Sequence, residues 1–400
     1  MFFAIAVAIT MMSTHGYGLF LFGAIVPTLQ SDYGFGYSFV GWASATLQIA
    51  YMVGAFLIGS LGRLFSPRVW LLASTLVCIV MLQLLSLTTD RPAIVAMFGV
   101  LGAASAMSWG GAVGTINQIL PSDRRGLVLT VGASGGAWGM LTIGMVTGYG
   151  MDFLDMLDLW SVGAVIGCLG FALLIAAFLA PSLRNSNETT TDNSSDPEQS
   201  NQNSFAEILF TRPAVLVIIL SGMLGMTAVP FTTYLNAYLV EEMGRSVATA
   251  SSVWQVLGIT GAVSGFVIGQ LADRMDHRRI MHITFALFAG GCFFMATVPM
   301  SSLIGAAGIG HGIVLNPFWG LAAAYIGLWF SSLNTMRIAS FGLTAFGFCG
   351  AVANWIIGQW AATGGSFASV YLGLCVIVLA MSALLLIAPS ANSQQTEALQ

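Results

Sequence analysis

Apolar residues run along this chain in blocks of about 20, interrupted by a few polar or charged positions. A helix of about 20 mostly apolar residues, rising 1.5 Å per residue, crosses a hydrocarbon core of roughly 30 Å. Twelve such blocks begin near Phe2, Phe39, Val69, Ala93, Leu127, Leu159, Ala214, Ala248, Met281, Leu303, Ile338 and Phe367. They predict an all-α membrane protein with twelve transmembrane helices in two six-helix bundles, residues 1–180 and 209–389. A linker at 181–208 separates the bundles and a short polar tail follows at 390–400. Most of the linker reads PSLRNSNETTTDNSSDPEQSNQNS, too poor in apolar side chains to order itself. No stretch shows the ten-residue alternation of a membrane β-barrel. The first block is almost thirty residues long and lacks a basic leader, so it reads as a retained helix rather than a cleaved signal.

Composition agrees with that pattern: 57% of the 400 residues are hydrophobic and 7% charged, against about 25% charged in a soluble domain. The five cysteines lie inside apolar blocks without metal-ligand spacing. Neither a cofactor nor a metal is expected, nor nucleic acid as a partner. The positive charges carry more information than the net charge of −4. All twelve are arginine, and ten fall on one side of the predicted membrane, leaving only Arg91 and Arg245 on the other. Basic loops stay in the cytoplasm, so both termini of this multi-pass protein are expected there.

The chain also repeats itself. At an offset of 210 residues, Leu29 falls on Leu239, Asp32 on Glu242, Gly34 on Gly244 and Arg68 on Arg278, and Gly59-Ser60-Leu61-Gly62-Arg63 falls on Gly269-Gln270-Leu271-Ala272-Asp273. An apolar chain that duplicates half its length has the layout of a two-bundle transporter. The loop Gly269-Gln270-Leu271-Ala272-Asp273-Arg274-Met275-Asp276-His277-Arg278-Arg279 resembles the signature loop of the major facilitator superfamily, departing from it at Asp276, where that family has glycine. The resemblance implies the twelve-helix fold, transport of a small organic solute by alternating access, and a cytoplasmic latch built from Gly269, Asp273, Arg274 and Arg278. The first-half copy, with Arg63 in the aspartate position and Arg68 beyond it, implies a weaker latch. Arg124-Arg125-Gly126-Leu127 and the stretch Leu235–Gly244 are similar to the monocarboxylate and oxalate/formate branches, which implies a monocarboxylate-like solute carried by symport or facilitated diffusion. A proton-antiporting drug or metabolite exporter is the alternative; it is disfavoured by the uncharged helix 4 around Phe98–Gly102 and by a helix 5 without proline. A membrane-embedded enzyme or sensor would need a cluster of acid/base groups or a soluble domain, and the sequence has neither.

No Asp, Glu, Arg or Lys falls in the middle of a predicted helix, which removes the usual marks of an ion pathway. A proton could still be carried by histidine. His15, near the centre of helix 1, is the leading candidate, able to take a proton or to hydrogen-bond a carboxylate; His311 in helix 10 is the second. Depth along the helices adds Tyr17, Gln48, Tyr51, Trp109, Trp138, Thr233, Tyr234, Asn236, Gln255, Asn316 and Asn354 as lining for a pocket without fixed charge. Trp109 and Trp138 are placed too deep to be interfacial anchors. The many glycines of helix 5, from Gly132 to Gly150, are expected to let helices approach closely.

Overall fold

The structure is a computed structural model that describes all residues except 121, 151–153, 156, 181–204, 273, 298–300, 331 and 390–400. Most of the linker, the tail and Asp273 therefore lie outside the described residues. Among the described residues, twelve helices are long and apolar enough to cross a membrane: α1 Phe2–Tyr33, α2 Tyr37–Leu61, α3 Pro67–Leu85, α4 Arg91–Ile119, α5 Ser122–Tyr149, α6 Asp158–Leu179, α7 Arg212–Thr233, α8 Val247–Ala272, α9 His277–Thr297, α10 Ser301–Gly327, α11 Ser332–Ala362 and α12 Phe367–Leu384. Their starts fall close to the expected ones. Lipid offers no partner for a free peptide group, so a spanning chain must satisfy its own backbone, which helices do. One element was not foreseen: Phe205–Leu209, inside the predicted linker, is a short helix whose Ile208 packs on the core.

Polar side chains finish helices where the ladder runs out. Asp90 Oδ2 accepts from the Ala93 N–H at 3.0 Å to start α4, and Ser66 precedes Pro67 at the start of α3, the position where a missing N–H costs nothing. The repeat reaches down to such details. Gly34 and Gly244, 210 residues apart, both adopt the left-handed conformation, at φ 64° and 62°. After each, the next residue's N–H returns to a leucine carbonyl, Phe35 to Leu29 at 3.3 Å and Arg245 to Leu239 at 2.8 Å. These are the same C-cap built twice.

Among the described residues two long helix crossings join the halves, α5 with α8 and α2 with α11, besides a shorter approach of Gly23 on α1 to Thr232 on α7. The two long crossings are pseudo-symmetric copies. In the first, a Cβ on Gly144 would stand 2.6 Å from the Ser251 carbonyl oxygen, and one on Gly258 would stand 2.7 Å from that of Ala137. In the second, a Cβ on Gly41 would stand 3.0 Å from the Asn354 oxygen and one on Gly347 would stand 3.3 Å from that of Gln48. The offset of 210 maps Gly144 to Asn354, Gly41 to Ser251, Gln48 to Gly258 and Ala137 to Gly347. Backbone approach through small residues thus holds the two bundles together.

Candidate functional site

Contacts between the halves concentrate at the end of the molecule away from the signature loop. There Asn236 Nδ2 donates to the Ala24 carbonyl of α1 at 2.5 Å, while its Oδ1 accepts from Trp254 Nε1 of α8 at 2.9 Å. Gln255 Nε2 donates to Gly144 O at 3.1 Å and Thr147 Oγ1 lies 3.0 Å from Ser251 Oγ. Gln359 Nε2 donates to Ser38 Oγ at 2.9 Å, and at the rim the Tyr37 hydroxyl donates to Glu241. Asn236 can reach across because α7 stops at Thr233. Pro230, inside the last turn, leaves the Met226 carbonyl without its ladder donor, and Tyr234 at φ −105°, ψ 4° turns the chain into Leu235–Ala237 and a π-helical turn, Tyr238–Glu242. Asn354 Nδ2 on Thr233 Oγ1 at 3.2 Å, and the Tyr234 hydroxyl on Asn354 O at 2.7 Å, brace the break from α11.

Toward the signature loop the halves part. On the α5–α8 side, Gly265 finds its nearest neighbour, Thr130 Cγ2, 3.7 Å from where its Cβ would be, and Gly59 of α2 and Gly62 just beyond it find nothing within 4 Å. Leu61 and Met336 are exposed there. Two of the expected latch residues have described contacts within their own halves. Arg278 donates to Ala388 O and pairs with Asp276 at 3.5 Å, inside its own half; Arg68 lies over the Phe178 ring at 5.3 Å; Arg274 is exposed. Asp273 is outside the described residues, as are the surroundings of Gly269 and the side chain of Arg63.

His15 lies between the closed and the open end. The middle of α1, Met12–Phe20, is π-helical, a wide winding that often marks functional stretches. It lets Gly16 pack directly on Gly139 of α5 and turns the Thr14 carbonyl toward Ser105 Oγ, at 2.7 Å. Thr14 Oγ1 accepts from Ser108 Oγ at 3.1 Å and lies 3.0 Å from His15 Nδ1. On the other side of the ring, His15 Nε2 is 3.4 Å from the Tyr51 hydroxyl, with the rings edge to face at 5.8 Å. His15 and Tyr51 are partly exposed, as are Trp109 in the same half and Asn316, Trp319 and Phe346 in the other. Asn316 Nδ2 reaches Gly261 O at 3.3 Å, and Trp319 meets Phe346 edge to face at 5.4 Å.

Nine of the nominated residues are not part of this group, three of them far from it in orientation or burial. Tyr17 is fully buried across Gly163 of α6, where a Cβ would stand 2.7 Å from its own Cβ; two residues beyond His15 on a helix, it points to the opposite side. His311 is 1% exposed in the core of the second half, stacked on Phe231 at 4.7 Å with Nε2 donating to Ala228 O at 3.2 Å. Trp138 is 46% exposed, on one stripe of α5 with Leu127, Met145 and Tyr149, the face turned away from both crossings. Gln48 is buried at the α2–α11 crossing, whereas Thr233, Tyr234, Asn236, Gln255 and Asn354 serve the closed end. Sequence reading did not nominate Thr14, Ser105, Ser108, Ser38, Gln359, Tyr37 or Glu241. Only the acidic pair Glu241-Glu242, just beyond an apolar block, gave a signal.

The Major Facilitator Superfamily model matches residues 2–324. The chain belongs to that superfamily. It is therefore a multi-pass transporter of small solutes that works by alternating access, and not an enzyme. Among solved structures this superfamily member is similar to a D-xylose–proton symporter, at 14% identity and a TM-score of 0.76, covering 97% of this chain and 98% of that one. It is also similar to the nucleoside transporter NupG, at 14% identity and 0.71, covering 97% and 99%, and to the xylose transporter XylE from E. coli in an inward-open conformation, at 13% and 0.73, covering 98% and 97%. At such identities the likeness speaks for the fold alone. No curated protein matches the sequence.

Proposed function

We propose that this transporter carries a neutral, hydrogen-bonding solute through a site between the halves at the level of His15, and that the conformation described here faces the cytoplasm. One observation carries the reading. The halves meet at the end away from the signature loop and separate toward it, with His15, Tyr51, Trp109 and Asn316 partly exposed between. The arginine bias puts the signature loop and both termini in the cytoplasm, so the open end is the inner one. The bonds of Arg278 inside its own half fit that assignment, since a cytoplasmic latch is engaged only when the carrier faces out.

Among the described residues no charged side chain lies in the middle of a spanning helix. A carboxylate in the site would have to be met by His15 or by backbone donors, whereas a neutral polar solute needs only the hydroxyl, imidazole and amide groups present. For that reason we favour a solute of the kind named for the similar structures, a sugar or a nucleoside, over a monocarboxylate. A monomer of a bacterial inner membrane is the setting we assign, with coupling to protons through His15 rather than through a carboxylate.

The test is uptake by proteoliposomes of a sugar, a nucleoside and lactate, with and without a pH gradient, in wild type and His15→Ala. Uptake of a neutral solute that falls at least ~10-fold in the variant, the equivalent of about 1.4 kcal/mol, is expected. Uptake of lactate in preference to the neutral solutes would reverse the choice of substrate, and unchanged uptake and pH dependence in His15→Ala would move the site elsewhere.

A further inference from the structure

At the signature-loop end, the 210-residue repeat sets the α4–α5 corner of the first half on the α10–α11 corner of the second: Leu120 falls on Phe330 and Arg125 on Thr335. The same contact is built in both. Arg125 Nε donates to the Leu120 carbonyl at 2.8 Å, and Thr335 Oγ1 reaches the Phe330 carbonyl at 3.5 Å, longer than a hydroxyl donor ordinarily spans. In the first half, the half-buried Arg125 side chain thus ties the end of α4 to the start of α5. In the second half four of the residues around the contact are smaller: Val113 becomes Ala323, Asn117 becomes Gly327, Leu129 becomes Ala339, and the arginine itself becomes threonine. A cleft of ≈ 380 Å³ opens there, lined by those four with Phe330 and Met336. A Cβ on Gly327 would find nothing within 4 Å.

We infer that this cleft is a binding site for a small guanidinium-bearing cation from the cytoplasm. The Phe330 carbonyl is an acceptor whose own partner is distant, and a guanidinium brings several donors in a fixed fork. The cleft abuts the last turn of α10, and the C-terminal end of a helix favours positive charge. Phe330 also replaces the aliphatic Leu120, and an aromatic face attracts a cation. The precedent lies in the molecule itself, since Arg125 holds a guanidinium at the equivalent carbonyl and the equivalent helix end. A bound cation replaces the missing arginine and ties α10 to α11 as Arg125 ties α4 to α5. A carboxylate or phosphate finds no positive side chain among the six lining residues, and an apolar ligand leaves the carbonyl unsatisfied. All six come from the second half. A Cβ on Gly59 at the end of α2, or on Gly62 just beyond it, would find nothing within 4 Å, so the open end leaves the cleft to a ligand from solution rather than to an arginine of the other half. The site is independent of the solute and of His15.

The experiment follows the thermal midpoint of the purified full-length protein during titration with methylguanidinium, and with N-methylurea as a neutral counterpart of similar shape. A ligand that binds only the folded chain raises the midpoint saturably. Methylguanidinium is expected to do so at millimolar concentrations, and N-methylurea not at all. Thr335→Arg refills the cleft with the residue of the other half, and Gly327→Leu fills it with an apolar side chain. Each is read against its own ligand-free midpoint, and each is expected to raise the half-saturating concentration at least ~10-fold, the equivalent of about 1.4 kcal/mol. Arg63→Ala is expected to leave the titration unchanged. The inference is overturned if methylguanidinium gives no saturable rise, if N-methylurea gives the same rise, or if the filled variants bind as the wild type does. A half-saturating concentration that falls several-fold in Arg63→Ala would overturn the free ligand and make this chain's own Arg63 the occupant.

Discussion

At the scale of single residues, the environment of His15 decides what its loss should do. Its ring joins Thr14, and through it Ser105 and Ser108 of α4, to Tyr51 of α2. A hydrogen bond contributes about 0.5–1.5 kcal/mol net, and 1.4 kcal/mol is about tenfold in affinity. Tyr51→Phe is therefore expected to weaken solute uptake roughly two- to tenfold with an unchanged thermal midpoint, measured as the concentration for half-maximal uptake; an unchanged value would remove the hydroxyl from the site. Asn236→Ala should act differently, since it strands the indole N–H of the fully buried Trp254 and takes away the bond to Ala24 O. An unpaired buried group costs about 1–3 kcal/mol. Lower thermal stability and a loosened outer end are both expected, with calorimetry as the check on the first. The depth of His15 was legible because one imidazole stands in an apolar block. The positions of Tyr17, His311 and Trp138 around their helices were not. In lipid both the buried and the outward face of a helix are apolar, so periodicity does not say which side meets the partner bundle.

At the scale of elements, the crossings of α5 with α8 and of α2 with α11 act as the two sides of one joint. The repeat was legible at the signature loop, and the glycines of helix 5 suggested close packing. What the sequence could not show is that Gly144 and Asn354, or Gly41 and Ser251, are equivalent partners, since an offset names matching positions and not the helix each one touches. The joint makes a definite prediction. In Gly144→Val the new Cβ would stand 2.6 Å from Ser251 O, too close for any side chain, and overpacking of this kind costs about 1–3 kcal/mol. That strain exists only while the outer end is closed, so the variant should shift toward the outward-facing state by roughly tenfold. Spin labels at Thr89→Cys and Thr363→Cys, in a background with Cys168 and Cys349 changed to Ala, would show it as growth of a longer distance population. Gly290→Ala, at a glycine with nothing within 4 Å, should leave the distances as they are. Unchanged distances in Gly144→Val would show that this contact does not set the closure.

At the scale of the whole molecule, Glu241 makes closure of the outer end depend on pH. Burial pushes its carboxyl above the usual range, and the hydrogen bond from Tyr37 pulls part of that back. The groups around it are Tyr37 from α2, the Gln30 amide from α1, whose nitrogen comes within 3.0 Å of Oε2 when turned to donate, and Glu242 alongside. Glu242 itself is occupied with the start of α12, accepting from Phe367 N at 2.5 Å and Ser366 Oγ at 2.6 Å. Glu241 is exposed at the rim even here, and when the halves part at this end it loses what desolvation Tyr37 and its surroundings impose, so its carboxyl returns toward the ordinary range. The closed state thus binds the proton more tightly than the open one, and the sign follows by linkage. Closure is favoured as pH falls through the raised value, the gain is complete below the ordinary carboxylate range, and it is lost as pH rises. Between about pH 4 and 8 the short-distance population of the same spin-label pair should therefore grow on acidification. Glu241→Gln, which keeps an uncharged group against Tyr37, should hold the low-pH distribution at every pH. A wild-type distribution that ignores pH would remove proton control of closure, and a Glu241→Gln distribution that still follows pH would assign it to another group.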